Sequence, residues 1–147
     1  MYNVIDLSKY IVSKCFRDGY PIPNMLLQKM LYYIQKDFVR NGKTAFDSVI
    51  EAWTFGPVIP EAFYHFCGFG TMPITTDYEK DIKISIDEED KKNIDIIIER
   101  LKTNKPHKMV EDSDNPDKVW SKVYNNGKGL KQPIPTYLLK EESCEIE

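Results

Sequence analysis

The ten residues from 51 to 60, EAWTFGPVIP, limit the fold of this chain more than any other stretch. Gly56 permits a turn with positive φ, and Pro57 fixes φ at the next position. Pro60 suits the first position of a helix, where an amide hydrogen has no partner within the helix. The stretch therefore predicts a short strand, a rigid corner and the start of a helix.

The same stretch carries two large aromatic rings that must pack against an apolar surface. Trp53 and Phe55 are two residues apart, so an extended backbone points both rings to one side, where they require a thick apolar surface. The upstream residues 24–41 supply such a surface, because their apolar side chains recur at helical spacing and form an unusually wide face. We therefore predict that residues 24–41 form a central helix that covers both rings.

Helical spacing recurs on both sides of this centre. It predicts helices at residues 4–18, 60–66, 87–102, 117–125 and 136–142, with a short helical piece around 107–111. Residues 81–86 alternate polar and apolar side chains, which predicts a half-buried strand antiparallel to residues 49–53. The predicted fold class is mainly α: a compact bundle of about five to seven helices around the central helix, with a small two- or three-stranded β element.

Length and composition predict one globular domain over residues 1–147. A chain of 147 residues that is 41% hydrophobic can hold a core without disulfides or metal. No apolar run reaches the roughly 20 residues of a membrane span, and three cysteines without paired spacing are typical of free thiols in a reducing cytosol. We expect a soluble cytoplasmic protein without membrane contact, whose acidic tail at about 141–147 frays.

The sequence offers no recognisable catalytic or metal-binding set. His65 and Cys67 are close but have no second pair to complete a zinc site. No nucleophile elbow, phosphate-binding loop or dinucleotide fingerprint occurs, and the four carboxylates at 87–90 favour the first turn of a helix. We expect no catalytic residue, no metal and no cofactor, and hence no enzymatic activity. The net charge of −3 gives no electrostatic case for nucleic-acid binding by this domain alone.

What remains is surface suited to contact. The predicted central helix carries polar and aromatic residues beside its apolar stripe, and the ring-rich stretch that follows it is rich in the residue types that dominate protein interfaces. Composition leaves equally open that these rings fill the core. The candidate partner-binding residues are Gln28, Lys29, Tyr32, Tyr33, Lys36, Trp53, Phe55, Gly56, Pro57, Val58, Phe63 and Tyr64.

Two segments at this separation resemble the Panacea antitoxin domain, the SocA-like or phage-associated GepA-type family. That family has a leucine-x-lysine-leucine-leucine-tyrosine helix before an alanine–tryptophan pair and a glycine–proline–valine turn. The matching residues here are Leu27, Lys29, Met30, Leu31 and Tyr32, followed by Ala52, Trp53, Gly56, Pro57 and Val58. The tyrosine of the family's next helix falls on Phe63, with Tyr64 beside it. The histidine that often precedes a proline–tryptophan pair in the family has no counterpart in this chain.

The resemblance implies a mainly helical antitoxin of a two-gene toxin–antitoxin pair, often carried by prophages and mobile elements. It implies a cognate toxin as the partner, neutralised by direct binding, and for some members delivery of the toxin to a protease such as a Clp-type machine. Homo-oligomerisation stays open. Two alternatives remain at this point: a transcriptional regulator of its own operon, or a small-molecule enzyme without a recognisable motif.

Overall fold

The computed structural model describes residues 1–103 and 119–141. Its α-helices are Val4–Arg17 (α1), Asn24–Arg40 (α2), Pro60–His65 (α3), Glu88–Leu101 (α4), Val119–Tyr124 (α5) and Thr136–Glu141 (α6). Its two strands are Glu51–Trp53 (β1) and Gly56–Val58 (β2). The prediction of a mainly α fold with a small β element is confirmed. The predicted helical piece at 107–111 and the tail beyond residue 141 lie outside the described residues.

Helix α2 is the centre of the fold. It contacts α1, α3, α4, α6 and β2, and it is buried on nearly all sides. Its side chains Leu27, Met30, Leu31 and Ile34 are fully enclosed in the core. A helix apolar over so wide a face must lie inside a domain, so the predicted central helix is confirmed.

The strands form an antiparallel hairpin, in which Glu51 pairs with Val58 and Trp53 with Gly56. Gly56 has φ of 135°, as the predicted corner requires, and α3 begins at Pro60 as predicted. The corner differs from the prediction in one respect: the chain returns as a second strand before it enters the helix. The hairpin is therefore short and rigid.

The other edge of β1 pairs with a segment from the far end of the chain. The Ala52 amide donates to the Gln132 carbonyl at 2.9 Å, and the Lys131 amide donates to the Ala52 carbonyl at 2.6 Å. The Ile134 amide continues the pattern to the carbonyl of Ile50 at 2.7 Å. Both edges of β1 are thus occupied within the chain.

The predicted strand at residues 81–86 is wrong. A 3-10 turn occupies Glu79–Asp81, and the residues that follow have no regular structure. The alternating residues instead form an irregular segment beside α1, in which exposed and half-buried side chains alternate and the Lys83 amide donates to Asp6 Oδ1 at 3.5 Å. No edge of β1 was left for this segment to pair with.

Helix α4 docks on the bundle through its isoleucines and two carboxylates, of which Asp90 is buried and Asp95 is half-buried. Tyr2 donates its hydroxyl to Asp90 Oδ2 at 2.6 Å, and Tyr10 donates to Asp95 Oδ1 at 2.5 Å. Lys43 Nζ lies 3.2 Å from Asp90 Oδ1. The hydrogen bond from Tyr2, assisted by Lys43, holds the pKa of Asp90 below its usual value, whereas burial raises the pKa of Tyr10.

Candidate functional site

A cleft of about 640 Å³ opens between α2, the β1–β2 hairpin and residues 130–131. This volume is within the range of about 300–1,000 Å³ that is typical of ligand pockets. Every candidate residue named from the sequence lines the cleft except Tyr64, which lies beside it. The full lining is Pro23, Asn24, Met25, Gln28, Lys29, Tyr32, Tyr33, Lys36, Trp53, Thr54, Phe55, Gly56, Pro57, Val58, Phe63, Cys67, Gly70, Thr71, Trp120, Leu130 and Lys131.

Helix α2 supplies the floor of the cleft through residues three and four positions apart, which share one helical face. Lys29 Nζ lies 5.6 Å from the ring centroid of Tyr33. Lys36 Nζ lies 4.8 Å from the same centroid and 5.3 Å from that of Tyr32. All four side chains are buried, so the floor combines ammonium groups with ring faces, which attract cations electrostatically.

A chain of amide hydrogen bonds ties this floor to the hairpin and to α3. The Ile59 amide donates to Gln28 Oε1 at 2.9 Å, and Gln28 Nε2 donates to Asn24 Oδ1 at 3.0 Å. Asn24 Nδ2 then donates to the Phe63 carbonyl at 2.9 Å. Because both polar atoms of the buried Gln28 side chain are bound internally, its evident task is to hold the two walls at a fixed separation.

The wall opposite α2 is aromatic. The Trp53 ring packs edge-on against Phe63, with centroids 5.1 Å apart, and is tilted against Tyr64 at 6.0 Å. Trp53 Nε1 donates to Glu51 Oε1 at 2.9 Å, and the Trp53 carbonyl accepts from Trp120 Nε1 at 2.7 Å. Contacts on several sides therefore fix the indole of Trp53.

The prediction that α2 covers both hairpin rings is wrong. Trp53 is half-buried, but its ring partners belong to α3, and Phe55 is 62% exposed at the hairpin tip. Phe55 belongs to the two-residue connection between β1 and β2, at the exposed tip of the hairpin. The mouth of the cleft consequently carries exposed apolar side chains, since Leu130 across from the hairpin is 45% exposed.

The part of the cleft that sequence analysis missed comes from the C-terminal residues. Gly129 passes so close to α5 that a Cβ there would lie 1.8 Å from the carbonyl oxygen of Val123. The tight turn brings Lys131 Nζ to 5.2 Å from the ring centroid of Trp53. The only local signal was the shared helical face of Trp120 and Tyr124, whose rings stack at 4.8 Å.

The charged side chains among the described lining residues of the cleft are all cationic. Three lysines are among its lining residues, and no aspartate or glutamate is among those that the structure describes. Within residues 1–103 and 119–141, no three His, Cys, Asp or Glu side chains converge as metal ligands do. In the same part of the chain, no helix has the length and hydropathy that a bilayer crossing demands.

The fold and the cleft together define a class: a small, mainly helical domain with a cleft lined by aromatic and lysine side chains. The sequence profile of the family described as antitoxin SocA-like, Panacea domain matches residues 27–127, which include every candidate residue of the cleft. The chain belongs to this family. No curated protein and no solved structure matches the chain significantly.

Proposed function

We propose that this protein is the antitoxin of a toxin–antitoxin pair and that it neutralises its toxin by direct binding at the cleft. One observation carries the proposal beyond family membership. The two segments on which the family resemblance depends, residues 27–33 and 51–60, form facing walls of a single cleft. A motif that lines a cleft, and does not simply fill a core, serves the recognition of a partner.

The geometry of the hairpin supports binding to a macromolecule. Pro57, in the middle of β2, and Pro60, at the start of α3, restrict the chain before any partner arrives, so little conformational entropy is lost on binding. Phe55 stands at the hairpin tip beside the cleft, with most of its surface exposed. An exposed ring on a rigid support is the kind of residue that becomes a dominant anchor of an interface.

Binding without catalysis agrees with how the polar groups of the cleft are used. Gln28 and Asn24 hold the walls together, and the lysines of the floor pack on tyrosine rings. A general acid or base would need a titratable group aimed at a substrate position. We therefore include the absence of enzymatic activity in the proposal.

The test is co-expression with the product of the adjacent gene. That product should arrest growth when expressed alone, and growth should resume when this protein is expressed with it. Phe55→Ala should weaken binding of the purified pair by about thirtyfold or more, the effect of losing a central interface anchor. Tyr137→Ala is the matched control, because Tyr137 is 69% exposed on α6 and does not line the cleft.

Phe55 is a better probe than the residues on the floor. Lys29 and Tyr32 are only 7% and 6% exposed, so alanine at either position tests folding together with binding. A harmless neighbouring gene product, or equal binding by the Phe55→Ala and Tyr137→Ala variants, would contradict the proposal.

Neutralisation by masking and neutralisation by delivery to a Clp-type protease differ in the fate of the toxin. Masking leaves the toxin's half-life in co-expressing cells unchanged or longer. Delivery shortens it, and deletion of the protease restores it. Pulse-chase measurement of the toxin separates the two routes.

A further inference from the structure

We infer that the polypeptide segment accepted by the cleft is acidic and apolar: it places a large apolar side chain among the rings and an Asp or Glu carboxylate against Lys131. This inference rests on the proposed function and deepens it by specifying the chemistry of the partner.

The charged side chains described at the cleft have the sign opposite to the net charge of the chain. The chain carries a formal net charge of −3, yet the charged side chains among the described lining residues are lysines only. An ammonium group set beside apolar walls, as that of Lys131 is, favours a partner group of the opposite sign. Charge complementarity of this kind sets the choice and the orientation of a partner more than the raw affinity.

Lys131 is the cation that a partner meets first. Lys29 and Lys36 lie on the floor, packed against tyrosine rings, and the inference does not depend on them. Lys131 is exposed at the mouth, with Nζ above the Trp53 ring. In the part of the chain that the structure describes, no carboxylate lies within ion-pair distance of its ammonium group.

The backbone of Lys131 holds this side chain in place. Its φ is 63°, in the left-handed region that residues other than glycine rarely adopt. The Lys131 amide is bound to Ala52 and the next amide, of Gln132, to Gly129 at 2.9 Å, so the conformation is fixed from both sides. Strained backbone of this kind is concentrated at binding sites.

Glu51 is the acidic residue that touches this wall, and it does not cancel the cation. Its carboxylate accepts the hydrogen bond from Trp53 Nε1, at the edge of the indole. The ammonium group of Lys131 lies over the face of the same ring. The carboxylate of Glu51 and the ammonium group of Lys131 therefore lie on different sides of the Trp53 ring, at its edge and over its face.

A polypeptide fits this surface better than a free phosphate or a nucleic acid. The apolar surface extends to the mouth of the cleft through the exposed lining residues Phe55 and Leu130, and Met72, 67% exposed, follows the lining residue Thr71. Aromatic residues and methionine are enriched in protein interfaces. A phosphate group would leave this rim uncovered.

The experiment uses a random library of 12-residue peptides displayed on phage and selected on the immobilised full-length protein. Lys131→Glu reverses the charge at the mouth. Lys128→Glu is the matched control, since Lys128 is exposed on the same loop but outside the cleft. Thermal melting confirms that both variants fold, and Lys131→Gln provides a milder change should the reversal destabilise the protein.

The wild type and the Lys128→Glu variant should enrich peptides that combine a large apolar residue with Asp or Glu. Synthetic copies of these peptides should bind Lys131→Glu roughly tenfold more weakly or worse, and should bind the wild type less well as salt increases. Enrichment of basic or uncharged peptides, equal binding by the wild type and Lys131→Glu, or displacement of the peptides by a short oligonucleotide would overturn the inference.

Growth rescue separates this inference from the proposed function. If Lys131→Glu neutralises the toxin as well as the wild type while Phe55→Ala fails, the acidic partner is refuted and the antitoxin function is kept. If the wild type does not rescue growth but Lys131-dependent acidic peptides are still selected, the antitoxin function is refuted and the chemistry of the cleft is supported.

Discussion

Replacing Gln28 tests whether the amide chain beneath the cleft holds its two walls together. Gln28→Leu keeps the volume of the side chain but removes both of its hydrogen bonds. The buried Ile59 amide then has no acceptor, which costs about 1–3 kcal/mol, and loss of the donor to Asn24 costs about 1 kcal/mol more. The expected loss is about 2–4 kcal/mol of unfolding free energy, and its midpoint corresponds to a fall in Tm of about 6–12 °C.

The substitution Gln28→Glu isolates one of the two bonds. A carboxylate still accepts from Ile59, but it faces the Asn24 oxygen at about 3.0 Å, where glutamine donated. Only the protonated acid can donate there, so the folded state raises the pKa of the new carboxyl above its usual value of about 4.3. A raised folded pKa means that the variant is closest to the wild type at low pH and loses stability as pH rises through that pKa.

Urea unfolding followed by circular dichroism at several pH values measures both effects as differences from the wild type. Gln132→Leu is the control, because this residue is exposed and its substitution should change stability by no more than about 0.5 kcal/mol. If Gln28→Leu were as stable as Gln132→Leu, or if the Gln28→Glu difference did not vary with pH, the structural role assigned to the amide chain would be refuted.

Three further perturbations follow from contacts described above. Ile98→Ala should cost about 2–5 kcal/mol in urea unfolding, because Ile98 is fully buried on α4 and its truncation leaves a cavity. Gly129→Ala should abolish the cooperative thermal transition or lower its midpoint strongly, since the Cβ has no room beside α5. Acidification should remove the contribution of Asp90 to the free energy of unfolding. The folded state holds the pKa of Asp90 below the ordinary 3.8. This contribution is therefore fully present above pH 3.8 and is lost as the pH falls through the folded pKa.

Each of these has an internal control. Ile96→Ala, on the same helix but 50% exposed, should stay within about 0.5 kcal/mol of the wild type. Gly68→Ala should be tolerated, because a Cβ there meets no atom within 4 Å. Tyr2→Phe should flatten the acid-side loss, since it removes the main cause of the low pKa of Asp90. If a variant and its control had equal effects, the contact on which that prediction is based would be contradicted.

Local sequence signals were sufficient for the helices and for the first two walls of the cleft. The glycine and prolines of residues 56–60 fix backbone angles by covalent structure, and the spacing of apolar residues fixes which face of α2 is inward. Neither signal depends on a distant part of the chain. This is why nearly all candidate residues lie around one cleft.

Local signals did not predict the wall of the cleft at residues 130–131 or the pairing of residues 131–134 with β1. Pro133 and Pro135 flank Ile134, and proline lacks the amide that strand pairing uses, so the segment carries no strand pattern. The Ile134 amide nevertheless donates to the carbonyl of Ile50, just before β1, and extends the pairing that Lys131 and Gln132 make with Ala52. Residues 81–86 showed the opposite error, because their alternation matched a strand although no edge was available.

The polar residues of α2 show a second limit. Position beside an apolar stripe does not distinguish a polar side chain that faces solvent from one that is enclosed with its partners. Gln28 and Gln35 are both enclosed, and Gln35 Nε2 donates to the Phe46 carbonyl at 2.7 Å while its Oε1 accepts from the Ala45 amide at 2.8 Å. Such pairing depends on loop conformations that helical periodicity does not encode.

Because residues 131–134 complete the sheet at β1, the cleft is assembled from parts of the chain that leave the ribosome at different times. At roughly 5–20 residues per second, Lys131 emerges about 4–16 s after Trp53. Until then the Trp53 indole lacks the Lys131 ammonium group over its face, and β1 lacks the backbone hydrogen bonds of residues 131–134 along one edge. A copy whose translation stops before residue 131 would carry both family segments, residues 27–33 and 51–60, and still lack a finished cleft, so the cleft is complete only after residues 131–134 have been made.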